Sequence, residues 1–307
     1  MLDGILWFFK NLAFAFYNLG YAVSHPGQWL NWDDKEALVR FIYYGGSVEF
    51  FFVMLLLFVL LTVAGLVWRP VMWRSVRIIE GFGNTVGRFF AWAGLIMVLQ
   101  QVIIIFLQRI FRVSEISFGP FSPFGYQFWD KFTLVSFDLS WWSEELKLYN
   151  AMVVCLACAY TFIQGGHVRV DLVYSGVSYS KKKLIDMIGA LVFMVPSLTL
   201  TWLYAWYFLW RHLVTPKVSA TDKLDLMLKK ATILRWNVET IGFSPNGFNG
   251  YFLFKILLVT FVGMMLLQAV GFFYRSYLEY IEGPESEGKY LDKDTLGEGE
   301  EAFEGTH

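Results

Sequence analysis

The residues able to do chemistry in this 307-residue chain are few, and they gather at the edges of its apolar runs. Glu144 and Glu145 follow Trp141 and Trp142 at the start of one such run. In the first turn of a helix, each carboxylate would complement the dipole by about 0.3–1 kcal/mol. Either could instead meet a basic group on a partner protein, and both readings stand. The same run closes with Gly165-Gly166-His167-Val168-Arg169-Val170-Asp171. His167 and Asp171 could reach one metal ion, but two ligands alone do not define a site. Arg169 can pair with Asp171 or extend to phosphate headgroups. This segment therefore reads as a docking or anchoring turn. Cys155 and Cys158 form a CxxC at membrane depth, beyond the reach of a soluble thiol partner, and are expected to pack between helices. His167 and His212 are expected at opposite bundle ends, which does not suit bis-histidine haem ligation. No GxxxxGK[ST] nucleotide loop occurs. The expectation is a chain without catalytic, cofactor or metal residues of its own.

The elements carrying these residues follow from composition. Hydrophobic residues make up 56% of the chain, aromatics 20% and charged residues 17%, against about 25% charged in soluble domains. So apolar a chain could not cover a soluble core with polar surface. A formal net charge of −1 excludes a basic nucleic-acid binder. Two cysteines exclude a disulfide scaffold. A helix needs roughly 20 apolar residues to cross the hydrocarbon layer. Five stretches qualify: Phe50–Trp68, Phe89–Gln108, Leu148–Val168, Met187–Trp210 and Ile256–Tyr274. A sixth, Asn11–Trp32, is broken by Pro26-Gly27 and polar residues. Within 2–24 the polar Asp3, Lys10 and Tyr17 form a stripe, with Leu6, Phe9, Leu12, Phe16 and Leu19 away from it. That pattern predicts a helix lying in the membrane interface rather than a signal peptide. The fold class is thus an all-α integral membrane protein: about five transmembrane helices behind an N-terminal interfacial amphipathic helix.

Charge placement orients the bundle. Arg69, Arg74, Arg77 and Arg88 follow the first span, and Arg169 and Lys181-Lys182-Lys183 follow the third. These basic connections point to the cytoplasm, with an external N-terminus and an internal C-terminus. Residues 219–236 predict an amphipathic helix with Leu224, Met227, Leu228, Ala231 and Leu234 on one face. Residues 282–307 are acidic and glycine-rich and are expected to be disordered. The central turns of the spans carry no ionisable group, whereas proton-coupled carriers and channels usually carry one. Glu49, Glu144, Glu145, Lys147 and Lys255 are expected at span ends within reach of water or headgroups. Gln100, Gln101 and Asn150 are expected to join helices. Pro196 should kink the fourth span.

The run AYTFIQGGHVRVDLVYSGVSYSKKKLIDMIGALVFMVPSL (159–198) resembles the small membrane subunit of tripartite ATP-independent periplasmic (TRAP) transporters. The likeness rests on the glycine-flanked His167-Val168-Arg169-Val170-Asp171 turn, followed by Asp186 and Pro196. It extends to VGRFFAWAGLIMVLQQVIIIFLQRIF (86–111) and the acidic SEEL (143–146). RWNVETIGFSPNGFNGYFLFKILLVTF (235–261), with Trp236 and Glu239, is similar to the mannitol/chloroaromatic-type branch. The resemblance covers about 80–212 and 235–275. It implies a four-helix small-subunit domain over 80–281, with an insertion near 213–234. Before it stand an interfacial helix and linker (1–40) and an extra span with a cytoplasmic loop (41–79); an acidic tail (282–307) follows. It further implies a scaffold in the bacterial inner membrane, bound to a large membrane subunit that carries substrate and sodium ions. A periplasmic substrate-binding protein would deliver an organic acid or similar small solute. Glu144, Glu145, His167, Arg169, Asp171, Asp186, Pro196, Trp236 and Glu239 are the candidate interface or structural residues. Membrane lipids are expected partners and nucleic acid is not. A membrane anchor for a respiratory or other redox enzyme is the alternative, and a self-sufficient channel is a third reading.

Overall fold

The computed structural model describes residues 2–118, 135–165, 176–215, 222–230, 233–234 and 250–292. Within them five helices are long and apolar enough to cross a membrane. The chain is an all-α bundle of a multi-pass membrane protein, trimmed by two very short antiparallel ribbons.

Three helices precede the first span: α1 (Leu2–Ser24), α2 (Gly27–Leu30) and α3 (Lys35–Gly45). Asp34 caps α3 by accepting from the Glu36 N–H at 3.0 Å. Ser47 caps α4 (Val48–Val67) by accepting from the Phe50 N–H at 3.2 Å. Such caps satisfy amides that have no partner within the helix. Pro70 stands in the first turn of α5 (Arg69–Ile105), where a missing N–H costs nothing. A wide π turn, Phe106–Ile110, ends that helix. The ribbon β1 (Glu115–Phe118) with β2 (Val135–Asp138) leads into α6 (Leu139–Gln164). Next, α7 (Tyr179–Ile188) runs through a π-helical stretch, Gly189–Met194, into α8 (Val195–Leu213). Strand β3 (Val214–Thr215) pairs with β4 (Ile233–Leu234) around the short α9 (Leu224–Lys230). The last span is α10 (Tyr251–Glu282).

Side-chain contacts fix how the spans run. Along α5, Gly83, Gly87, Gly94 and Gln100 meet Ile163, Tyr160, Val153 and Glu145 of α6 in turn. One series rises as the other falls, so the pair is antiparallel. Gly87 presses on Tyr160, and a Cβ on Gly83 would lie 2.7 Å from Ile163 Cδ1 and Gln268 Nε2. Small residues thus let the helix axes approach, the device that replaces hydrophobic collapse in lipid. Helix α10 is central. It meets α5 through Gln268, which donates to the Ile79 carbonyl at 3.0 Å. Leu156 and Ala159 of α6 cluster with its Met264 and Met265. Its Tyr274 hydroxyl reaches α4 at Thr62 Oγ1, 2.9 Å, and the Phe58 carbonyl, 3.1 Å.

Several expectations need correction. The cytoplasmic loop expected up to 79 is helical: α5 runs without a break from Arg69 to Ile105, across the 79/80 division, with Pro70 in its first turn. The helix expected over 219–236 is confined to Leu224–Lys230 among the described residues, and Leu234 lies in β4. The tail is not disordered from 282: residues 283–292 fold back on the bundle, including a 3-10 turn at Pro284–Ser286. The remaining tail lies outside the described residues. Helix α1 forms over the expected range and rests Leu12, Ala15 and Leu19 against Phe52 and Leu56 of α4. Leu6, Phe9 and Phe16 stay exposed.

The N-terminal unit and the 213–234 insertion, far apart in sequence, pack together. Leu38, Val39 and Ile42 of α3 share a buried cluster with Trp206, Trp210 and Leu213 of α8 and Met227 of α9. Trp202 and Trp206 donate their indole N–H groups to the carbonyls of Gly45 and Ile42, at 2.9 and 2.8 Å. Trp206 lies flat against Gly45, leaving no room there for a Cβ. Gly45→Ala should therefore destabilise the protein by about 1–3 kcal/mol through overpacking. A lowered thermal midpoint with a shifted tryptophan emission would register it, whereas unchanged melting would show that Trp206 can move aside.

Candidate functional site

Two charged residues near the end of α10 face inward. Arg275 and Glu279 stand four apart, so they share one helix face, and both are buried with Glu80 of α5. Arg275 grips Glu80 with a two-pronged fork, Nε to Oε1 at 2.5 Å and Nη2 to Oε2 at 2.6 Å. Its Nη1 donates to Glu279 Oε1 at 3.3 Å. The other oxygen of Glu279 pairs with Lys183 Nζ of α7 at 2.7 Å. Two carboxylates and two cations thus alternate across three helices and cancel. The planar guanidinium matches the carboxylate fork in a way an ammonium could not. Trp73 covers the network, its ring 5.7 Å from the Arg275 guanidinium carbon, and donates to Glu282 Oε1 at 2.8 Å.

The folded-back strap, residues 283–292, completes this network. Gly283, with φ +87°, turns the chain off α10, and Gly288 adopts φ +69°. These are left-handed values that favour glycine. The Gly288 N–H donates to Glu279 Oε1 at 3.1 Å, and the Lys289 carbonyl accepts from Arg275 Nη1 at 3.1 Å. Tyr290 sits at φ +60° despite its side chain, its ring edge-on to Trp73 and 5.1 Å from the Arg77 guanidinium carbon. The strap ends on α5 and α6. Arg88 Nη1 bonds Asp292 Oδ2 at 2.6 Å, while Asn84 and Gln164 donate to the Asp292 carbonyl at 3.0 and 2.8 Å. The bond from Arg88 holds the Asp292 carboxyl below the ordinary carboxylate range. The contact therefore holds at neutral pH and weakens only as acid protonates Asp292 below that range.

A second polar cluster lies at the other end. Gln100 of α5 is buried and donates to Glu145 Oε2 and to the Trp142 carbonyl, both at 3.3 Å. Tyr149 donates to Glu145 Oε1 at 3.3 Å. Helix α6 begins at Leu139, so Glu144 and Glu145 stand in its second turn, not the first. The dipole contribution expected of them is correspondingly smaller, and Glu145 instead ties α6 to α5. Lys255 is also not where water reaches it. It is 2% exposed, with Nζ 4.3 Å from the Phe208 ring centre and 5.1 Å from that of Tyr251.

Of the remaining candidates, Asp186 is half-buried on α7, and Pro196 faces outward directly after the π-helical stretch. His167, Arg169, Asp171, Trp236 and Glu239 lie outside the described residues. Of the candidates, the structure thus places Glu145 in a cluster, with Gln100 and Tyr149. Among the described residues no three His, Cys, Asp or Glu side chains converge as metal ligands. Glu80, Arg275 and Glu279 lie outside the uncharged runs and carry no signal there, and Lys183 reads from the sequence only as a marker of orientation. The spacing of Arg275 and Glu279 was the available signal.

No family model matches the chain, and no curated protein or solved structure matches it.

Neutralising Glu80 takes from the buried Arg275 its two-pronged partner and leaves Glu279 and the Lys289 carbonyl to hold it, a loss of up to about 3–5 kcal/mol, the cost of breaking a buried pair. Glu80→Gln should accordingly lower the thermal midpoint in detergent sharply. Adding Arg275→Gln should restore part of the loss, and a double-mutant cycle without coupling between the two would refute the pairing.

Proposed function

We propose that this chain is the small scaffold subunit of a TRAP-type secondary transporter in the bacterial inner membrane. The observation that carries the reading is how the chain disposes of its charge. The buried charges of the strap end cancel within an internal network instead of lining a path across the bilayer. The central turns of the five spans carry no Asp, Glu, His, Lys or Arg. A carrier that translocates ions ordinarily needs such residues at depth, so translocation belongs to another chain. The resemblance of residues 159–198 to TRAP small subunits supplies the identity of that chain: a large subunit moving an organic acid or similar small solute with sodium. A periplasmic binding protein would deliver the solute.

The basic residues support an orientation. Arg74, Arg77 and Arg88 of α5 and Lys181, Lys182 and Lys183 of α7 lie at the strap end. By the positive-inside rule that end faces the cytoplasm. The opposite end, with the Gln100–Glu145 cluster and the aromatic join of α3, α8 and α9, then faces the periplasm and the binding protein.

Purification from native membranes should recover a larger polytopic membrane protein with this chain. Recovery of the chain alone, together with substrate-driven sodium flux from that preparation in liposomes, would overturn the proposal. Arg169→Glu should reduce the recovered partner severalfold while leaving the chain's helicity unchanged; equal recovery and uptake would restrict the turn to a lipid-facing role.

A further inference from the structure

Three donors from two helices converge on the oxygens of a single strap residue. Arg88 and Asn84 come from α5 and Gln164 from α6. Arg88 bonds the Asp292 carboxylate at 2.6 Å, and the two amides bond its carbonyl at 3.0 and 2.8 Å. Asn84 is 1% exposed, and Gln164 donates to its Oδ1 at 3.3 Å, which fixes the Asn84 amide nitrogen toward the strap. One guanidinium and two amide donors form the kind of set that binds phosphate oxygens.

The surface beyond the cradle is apolar along one line. Trp92, Leu95 and Leu99 follow Arg88 at helical spacing and are 66%, 48% and 55% exposed. A phosphate on Arg88 would stand at the mouth of a transmembrane helix, with an apolar stripe leading from it into the bilayer. A membrane phospholipid has that shape: an anionic head above acyl chains. The strap's own claim on the cradle is the exchangeable kind, since the Arg88 and Asp292 side chains are 40% and 59% exposed. Pairs this exposed are weak and screened by salt.

We propose that Arg88, Asn84 and Gln164 form a headgroup site for an anionic membrane phospholipid, which Asp292 fills when the strap is docked. Lipid and strap are then alternatives. Displacing the strap also withdraws the Gly288 N–H from Glu279 and the Lys289 carbonyl from Arg275, opening the buried network to water. The site is thus a lipid-responsive latch on the bundle end, and it does not depend on the transport role proposed above.

The test uses the full-length chain, delipidated in detergent, with phosphatidylglycerol added and the retained lipid counted by native mass spectrometry. Asp292→Asn removes the carboxylate paired with Arg88, leaving only the backbone carbonyl on Asn84 and Gln164, and should raise retention severalfold by increasing the fraction of chains with the strap undocked. Combining it with Arg88→Gln should abolish the gain. Both positions are substantially exposed, and size-exclusion chromatography would verify the fold of each variant. Equal retention by the wild type and Asp292→Asn, or a gain that survives Arg88→Gln, would overturn the proposal. So would an equal gain with phosphatidylcholine. Full suppression of phosphatidylglycerol binding by inorganic phosphate at the same concentration would make this a site for soluble anions, and would likewise overturn the assignment to lipid.

Discussion

A guanidinium buried at the end of an apolar bundle loses its water, and the folded chain must replace every hydrogen bond it gives up. Arg275 is only 8% exposed, and its surroundings are arranged around that need. Glu80 takes two of its donors, while Glu279 and the Lys289 carbonyl share a third. Glu279 then requires a cation of its own, which Lys183 supplies from α7. Once these four charges are joined, α5, α7 and α10 are bound at one end. The backbone leaving α10 must turn at Gly283 to bring its polar groups over the cluster. Trp73 closes the side, contributing a ring face to Arg275 and an N–H to Glu282.

The opposite end is held by different physics. There the joint between the N-terminal unit and the rest is mainly aromatic and aliphatic: α3 against Trp206 and Trp210, with Met227 of α9 beneath. The polar atoms in that joint are satisfied by backbone carbonyls, as when Trp202 and Trp206 donate to Gly45 and Ile42. The helices approach through small residues, Gly83 and Gly87 beside the strap end and Gly94 farther along against α6, and through single amides such as Gln268. The middle of the bundle thus stays uncharged, while charge sits at its two ends, in the neutral cluster beside the strap and at Lys255 and Glu145 opposite. That division is compatible with the scaffold role proposed above.

Lys255 shows how a one-dimensional reading misplaces a charge. At the start of a span it reads as a residue that water can reach, yet Phe208 and Tyr251 close over it. Those rings arrive from α8 and from the helix's own first turn, and the α8 ring cannot be foreseen from local sequence. Glu145 teaches the same lesson. As one of two acids near a run's start it reads as a dipole partner, but the helix begins at Leu139 and the carboxylate accepts from Gln100 and Tyr149. The acidic tail is the clearest case. Its composition argues for disorder as long as its acids and carbonyls have only water to meet; Arg88, Asn84 and Gln164 supply partners from helices more than a hundred residues away.

What the sequence determined by itself was the solvent. Five long uncharged runs can cross a bilayer whatever their neighbours are, because each helix satisfies its own backbone hydrogen bonds. The helical class, the number of spans and the placement of charge outside their centres follow from that alone. Tertiary structure decided which charges find one another. Glu80, Lys183, Arg275 and Asp292 are spread over more than two hundred positions, and a charge's partner is set by distance in space. Chain order carries little of that distance, so the network, the docked strap and the cradle around Asp292 became visible only once the helices were packed.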